Sequence, residues 1–183
     1  MTGWSVLGTL QAVPALDRPD LLADPVAHAL KSLDPADAAL VGVAEIDPGL
    51  ADTARFCEAY SSPLDRSANC VVVSGRRSGD TRYAACLVLA TTRADVNGLV
   101  RKRLDVRKAS FVPMDDAVAL TGMEYGGITA LGLPEGWPLL VDSAAAAAPA
   151  VVVGSGIRGS KLALPGELAA RLPGAEVVEG LGR

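Results

Sequence analysis

Histidine, aromatic side chains and charge are all scarce in this chain of 183 residues. It contains one histidine, 4% aromatic residues and 21% charged residues. A serine or cysteine nucleophile could draw only on His28 as a histidine base, and its neighbours Ala27 and Ala29 in a predicted helix are typical of a structural position. The sequence has no cluster of histidine, cysteine and carboxylate with metal-site spacing and no Gly-x-x-x-x-Gly-Lys-Ser/Thr loop. We therefore expect neither a metal nor a cofactor.

Cysteines and long apolar runs are also few. Cys57, Cys70 and Cys86 are odd in number and lie in apolar or helical surroundings, which indicates reduced, unreactive thiols of a cytoplasmic protein. The longest apolar run, residues 144–154, is far shorter than the ~18 residues of a membrane helix. No basic residue precedes Arg18, so we also expect no secretory signal.

Apolar residues make up 50% of the chain and are distributed in both helical and strand patterns. This content predicts one core and one domain over residues 1–183. Helices are predicted over residues 24–33, 50–59, 95–104 (capped by Thr92 or Asp95), 113–120 and 165–172. Strands are predicted over residues 39–46, 70–73, 83–90, 109–112, 139–141, 151–153, 162–164 and 177–178. Because the two types do not alternate strictly, we predict an α/β fold with a mixed sheet, curled in part toward a barrel and surrounded by helices.

Charge is divided unevenly along the chain, although the net charge is only −4. Residues 1–65 carry three basic and ten acidic side chains, whereas residues 66–108 carry ten basic and three acidic ones. Five of these cations lie within eight residues: Arg101, Lys102, Arg103, Arg107 and Lys108. Such a cluster can attract a polyanion. On charge alone, the solvated end of a helix is the favoured interpretation.

Two glycine-rich segments stand out in the second half of the chain. Residues 121–134 read Thr-Gly-Met-Glu-Tyr-Gly-Gly-Ile-Thr-Ala-Leu-Gly-Leu-Pro, and residues 154–159 read Gly-Ser-Gly-Ile-Arg-Gly. Glycine lets backbone N–H groups approach an oxyanion or a phosphate. The alternative for Gly126 and Gly127 is a tight turn between two elements.

The order of these segments over residues 68–172 resembles the YbaK/ProX family, which is related to the insertion domain of bacterial prolyl-tRNA synthetase. The resemblance extends to the apolar hairpin of residues 71–90, the segment Leu-Asp-Val-Arg-Lys-Ala at 104–109, and the helix and glycine loop of residues 114–127. This family hydrolyses wrongly charged aminoacyl-tRNA. The resemblance implies an editing-domain core over residues 66–183, preceded by a helical and strand-containing portion over residues 1–65.

The resemblance also implies roles for individual residues. A catalytic site would use Gly126, Gly127, Ile128 and Asn69. Substrate would be bound by Tyr125, Thr129, Gly154, Ser155, Gly156 and Arg158. The five clustered cations would hold the acceptor end of the tRNA, and an aminoacyl-tRNA synthetase is a further candidate partner. We expect Asn69 to line a pocket opposite Gly126 and Gly127, with Tyr125 and residues 154–159 at its rim.

Three positions depart from the pattern of the family. Asn69 stands where the family has a lysine, Ala130 where it has a proline, and Lys161 where it has an acidic residue. Asparagine still donates hydrogen bonds but lacks the charge that strengthens them. Two hypotheses follow: a freestanding hydrolase that removes a wrong amino acid from tRNA, and a weakened or inactive relative that binds tRNA, an amino acid derivative or a protein partner. Lys161 could carry the displaced positive charge.

Overall fold

The computed structural model describes residues 3–183, whose nine strands form two sheets. In chain order the strands are β1 (Val13–Pro14), β2 (Gly42–Glu45), β3 (Ala68–Arg77), β4 (Asp80–Leu89), β5 (Ala109–Phe111), β6 (Leu139–Asp142), β7 (Val151–Gly154), β8 (Ser160–Leu164) and β9 (Ala175–Val178). The first sheet has the order β1-β2-β8-β7 and is antiparallel throughout. The second has the order β5-β3-β4-β6-β9, with β4, β6 and β9 parallel to one another. The predicted mixed α/β architecture is therefore confirmed.

Seven α-helices surround these sheets in the described part of the chain. They are α1 (Asp24–Ser32), α2 (Pro35–Ala38), α3 (Thr53–Tyr60), α4 (Arg101–Arg103), α5 (Met114–Thr121), α6 (Ser143–Ala147) and α7 (Gly166–Ala169). The helix predicted over residues 95–104 is a π-helical turn, Val96–Val100, followed by the single turn α4. The helix predicted over residues 165–172 is shorter because the Pro173-Gly174 turn returns the chain to β9.

The hairpin of β3 and β4 is the longest pairing in the fold, with ten residues in each strand. Its turn is Ser78-Gly79, with φ of 51° and 90°, the positive values of a two-residue hairpin turn whose twist matches that of the strands. The strands predicted at residues 70–73 and 83–90 are confirmed and extended. This hairpin carries Asn69 at one end and Arg77 at the other.

The two sheets do not close into a barrel within residues 3–183. They meet at a parallel bridge between Ser67, just before β3, and Val152 in β7. A shared core of apolar side chains lies between them and includes Val43, Leu162, Leu87 and Leu139. This packing brings the start of β3 beside β7 and β8. No helix within the described residues is long and apolar enough to cross a membrane.

Candidate functional site

A cavity of about 330 Å³ lies where the two sheets meet. The second sheet contributes the start of β3, and the first sheet contributes β7 and β8. The remaining walls come from the N-terminal end of α3 and from the glycine loop, which we define as residues 122–132. The lining residues that matter below are Ala51, Asp52, Thr53, Phe56, Asn69, Cys70, Tyr125, Gly126, Ile128, Gly154, Arg158 and Lys161.

The glycine loop is held by a second loop, residues 154–159, through backbone contacts. The Gly156 N–H donates to the Gly127 carbonyl at 2.7 Å, and the Glu124 N–H donates to the Gly156 carbonyl at 2.8 Å. A Cβ at Gly154 would lie 2.4 Å from the Gly127 carbonyl oxygen. The absence of side chains therefore lets two backbones pack directly against each other, which fixes the wall of the cavity.

The two adjacent glycines of this loop have different environments. Gly126 lines the cavity and has a φ of +82°, a conformation that side-chain-bearing residues rarely adopt. Gly127 faces the backbone of Ile157, and its N–H already donates to the Glu124 carbonyl at 2.9 Å. Among residues 3–183, the N–H groups of Gly126 and Ile128 donate no hydrogen bond. Of the loop residues that line the cavity, Gly126 and Ile128 carry N–H groups without an acceptor in the described chain, as does Tyr125 at the rim, whereas the Gly127 N–H is used inside the turn.

Arg158 connects the glycine loop to the opposite side of the cavity. Its guanidinium donates to the Tyr125 carbonyl at 3.2 Å and to the Pro48 carbonyl at 3.0 Å. Its backbone N–H donates to the Glu124 carboxylate at 2.7 Å. Tyr125 is 54% exposed and lies at the rim of the cavity. These contacts fix the position of a cation beside Gly126.

Asn69 lines the same cavity from β3, and its side chain is oriented by α3. The Thr53 hydroxyl donates to the Asn69 Oδ1 at 2.8 Å. Because the oxygen of the amide is engaged, its NH₂ group is the part left to meet a ligand. Asn69 therefore offers neutral donors where a lysine would offer a charge.

Lys161 is a cavity residue that was noted in the sequence but could not be placed there. It is 7% exposed, and its Nζ donates to the Ala51 carbonyl at 2.9 Å and lies 5.5 Å from the centroid of the Phe56 ring. Burial lowers the pKa of Lys161 below that of a solvated lysine. The sequence signal for a buried lysine was its position in the mainly apolar strand Ser-Lys-Leu-Ala-Leu, directly after residues 154–159.

Three residues predicted to bind substrate lie outside the cavity lining. Thr129 is fully buried, and its hydroxyl has no hydrogen-bond partner within residues 3–183. Ser155 is fully buried and accepts a hydrogen bond from the Ser160 hydroxyl at 2.7 Å. A Cβ at Gly156 would lie 2.4 Å from that of Ala23. These residues support the two loops rather than face the cavity.

The raised pKa values of Cys70 and Cys86 and the position of His28 make none of these three residues an activated nucleophile of the cavity. Burial raises the pKa of the Cys70 thiol, which lines the cavity, and raises that of Cys86 to about 12. His28 is exposed on α1 and is not among the lining residues. Within residues 3–183, no group of three or more histidine, cysteine or acidic residues could hold a metal ion.

The clustered cations lie away from the cavity. Asn69 and Arg77 are eight residue steps apart along β3, a distance of about 26 Å at the usual rise of a strand. Arg107 lies beside Arg76 and Arg77 at that far end. Arg103 forms an ion pair with Glu176, and the Arg101 guanidinium donates to the Asn97 carbonyl. Within the basic segment of residues 66–108, the exposed cations without an ion pair in the described chain are Arg76, Arg93, Lys102, Arg107 and Lys108.

Comparison with known proteins identifies the family. The family model for the aminoacyl-tRNA editing domain matches residues 47–172, more than half of the chain. No curated protein sequence matches the chain significantly. A solved structure of a candidate trans-editing enzyme for prolyl tRNA synthetase superposes with a TM-score of 0.71 at 18% identity, covering 86% of this chain and 94% of that one. The hypothetical protein APE2540 superposes with a TM-score of 0.73 at 17% identity, covering 87% and 100%. These two likenesses show a shared fold.

Proposed function

This chain belongs to the aminoacyl-tRNA editing domain family, also called the YbaK family, and from that premise we propose that it is a cytoplasmic trans-editing hydrolase. Its substrate would be a tRNA charged with the wrong amino acid. The reaction would break the ester bond between that amino acid and the terminal ribose. The products would be a free amino acid and an uncharged tRNA, which a synthetase could charge again.

The observation that carries the proposal is the pair of free backbone N–H groups in the cavity wall. Gly126 and Ile128, whose N–H groups have no hydrogen-bond acceptor in the described chain, line a cavity that Asn69 and Arg158 also line. The backbone contacts between the two loops hold these donors in place before substrate arrives. A preorganised donor of this kind typically stabilises an oxyanion transition state by about 3 kcal/mol.

The chemistry requires no nucleophile from the protein. Water, or a hydroxyl or thiol of the substrate itself, would add to the ester carbonyl carbon. The carbonyl oxygen would become an oxyanion facing Gly126 and Ile128. The carbon–oxygen bond to the ribose would then break, and the ribose oxygen would take up a proton. This route is consistent with the raised pKa values of Cys70 and Cys86, which keep both thiols protonated near neutral pH.

The partner would be the acceptor end of an aminoacyl-tRNA. Its terminal nucleotide would enter the cavity beside Tyr125, whose exposed ring suits stacking on a base. The tRNA backbone could then reach the exposed cations at the far end of the hairpin, Arg76, Lys102, Arg107 and Lys108. An aminoacyl-tRNA synthetase is a second candidate partner.

Asn69 favours a second function, that of a binding module that holds charged tRNA without hydrolysing it. The neutral amide lacks the charge that would strengthen a hydrogen bond to a developing oxyanion. The test is a panel of mischarged tRNAs incubated with the native protein and with Asn69→Lys. The hydrolase proposal predicts that the native protein releases amino acid from at least one tRNA faster than buffer does. Release by the Asn69→Lys variant alone would support the binding module instead.

A further inference from the structure

The ammonium group of Lys161 is a buried charge without a counter-ion. Within residues 3–183, no carboxylate oxygen lies within 4.0 Å of its Nζ. The carboxylate that acts on it, that of Asp52, uses one oxygen to accept from the backbone N–H groups of Ala54 and Arg55. Burial of a charge without a partner is costly, so its retention points to a partner that the free protein does not supply.

The geometry places this charge in the wall of the cavity. The hydrogen-bond acceptor of Nζ is the Ala51 carbonyl, and the ring beneath it belongs to Phe56. Ala51, Phe56 and Lys161 all line the cavity. An ammonium group has three N–H donors, and the protein accepts one of them. Two donors therefore remain for a ligand oxygen.

The register of the first sheet brings the same charge next to the glycine loop. Lys161 pairs with Gly154 across β8 and β7, and Gly154 packs against the Gly127 carbonyl. Lys161 therefore lies on the same sheet as Gly154, and this sheet packs against the glycine loop that contains Gly126.

We propose that Lys161 donates a charged hydrogen bond to the ester carbonyl oxygen of the substrate and to the oxyanion that forms from it. The inference rests on the proposed function and adds a residue to its site. Lys161 transfers no proton in this role. Water adds to the carbonyl carbon and gives its proton to solvent, the bond to the ribose breaks, and the ribose oxygen is protonated. Lys161 on β8 would thus supply the positive charge that the family has in its lysine at the position of Asn69 on β3.

A charged donor to the transition state predicts a specific kinetic effect. Lys161→Met keeps an unbranched apolar chain, one atom shorter, and removes the charge, so we expect kcat to fall about 100-fold while KM changes less than about threefold. The exposed Lys31 on α1 provides the control, since Lys31→Met should leave both constants unchanged. If Lys161→Met does not fold, Lys161→Gln retains a donor toward Ala51 and should show the same loss.

The pH dependence separates this role from a purely structural one. The ammonium form is the active form, so the rate advantage over buffer should decline as pH rises through the lowered pKa of Lys161. The charged or titratable groups that act on it are Cys57, Asp52 and Arg158. Cys57→Ser removes the thiol and should preserve the profile. In Lys161→Met the decline should be missing.

The outcomes are distinguishable. An unchanged kcat in Lys161→Met, an effect on KM alone, or an unchanged pH profile in that variant would overturn the role of Lys161 while leaving the hydrolase proposal intact. A native protein that deacylates no tRNA would overturn both. A selective loss of kcat together with the loss of the pH dependence would establish the assignment.

Discussion

Two features of the Gly126 position disfavour any residue with a side chain. Its φ of +82° requires a left-handed backbone, and a Cβ at this position would lie 2.5 Å from Arg158 Nη1. Gly136 has nearly the same φ of +81°, but nothing lies within 4 Å of its Cβ position. Gly136 also lies outside the cavity that we assign to substrate. The two glycines therefore share the backbone cost of a substitution and differ in what a methyl group would contact.

This difference gives a matched pair of variants. Gly126→Ala and Gly136→Ala should each lower the free energy of unfolding by about 1 kcal/mol, because alanine is strained at positive φ. Gly126→Ala should in addition lower kcat for deacylation at least tenfold, since Arg158 must shift and the donor moves with the loop. Chemical denaturation and single-turnover deacylation measure the two effects. Equal kcat values in the two variants would contradict the role of Gly126.

Sequence analysis could identify the residues of the glycine loop but not the function of each N–H group. Gly126 and Gly127 cannot be told apart in the sequence, yet the Gly126 N–H is free and the Gly127 N–H donates to the Glu124 carbonyl in a turn. Likewise, Asn69 and Lys161 are separated by 92 residues in the chain and meet only because β3, β7 and β8 come together. Such proximity is a product of tertiary packing, which no local pattern encodes.

At the level of elements, α3 connects stability to the site. Its N-cap is Asp52, whose carboxylate accepts from the N–H groups of Ala54 and Arg55 at 3.1 and 3.3 Å. The first turn of the helix carries Thr53, which orients Asn69, and the preceding Ala51 accepts from Lys161. The helix start therefore positions two polar side chains of the cavity.

Variants of the cap should show this connection. Asp52→Ala should lower the free energy of unfolding by about 1 kcal/mol, whereas Asp52→Asn retains a good cap and should change it by only a few tenths. The melting of both variants by circular dichroism measures the difference. Equal destabilisation by Ala and Asn would show that the charge of Asp52, rather than its capping hydrogen bonds, is what stabilises α3.

The hairpin and the segment after α4 present the exposed cations. Because Arg107 and Lys108 have no ion pair among residues 3–183, we expect them to contact phosphates of bound tRNA. The double variant Arg107→Gln/Lys108→Gln should raise KM for charged tRNA and lower the slope of log KM against log salt by about 1 to 2. Its kcat should be unchanged.

Arg171 provides the control for that prediction. It pairs with Asp37 at 2.8 Å in another part of the protein, and Arg171→Gln should leave the salt slope unaltered. A salt slope that is the same in the double variant and in the native protein would remove these two cations from the tRNA-binding surface.

Local patterns predicted most elements because each carries its own signal. The apolar strands of the hairpin and the Ser78-Gly79 turn identify the hairpin without tertiary information. The end of the last helix was missed because its length is set by the return of the chain to β9. The division into two sheets was also missed, since it depends on which strands pair over long separations.

For the whole molecule, the main core contains side chains from both residues 1–65 and residues 66–183. Its buried side chains include Val26 and Leu30 from residues 1–65, and Leu87 and Leu139 from residues 66–183. A core shared in this way favours cooperative unfolding of both portions together. We therefore expect residues 1–183 to behave as a single domain.

The two tryptophans can report on each portion separately. The Trp4 indole donates to the Leu40 carbonyl at 2.9 Å, and Trp137 stacks on Tyr83 with a centroid separation of 5.0 Å. In the variants Trp4→Phe and Trp137→Phe, the remaining fluorophore should unfold at the same denaturant concentration as the circular dichroism signal of that variant. A separate transition for either tryptophan would divide the chain into two domains.

The most direct measurement is the rate at which amino acid is released from mischarged tRNAs by the native protein, with buffer alone and Gly126→Ala as references. The account predicts release well above buffer for at least one mischarged tRNA and a loss of at least tenfold in Gly126→Ala. Release no faster than buffer across the whole panel, from a protein that is folded, would contradict it.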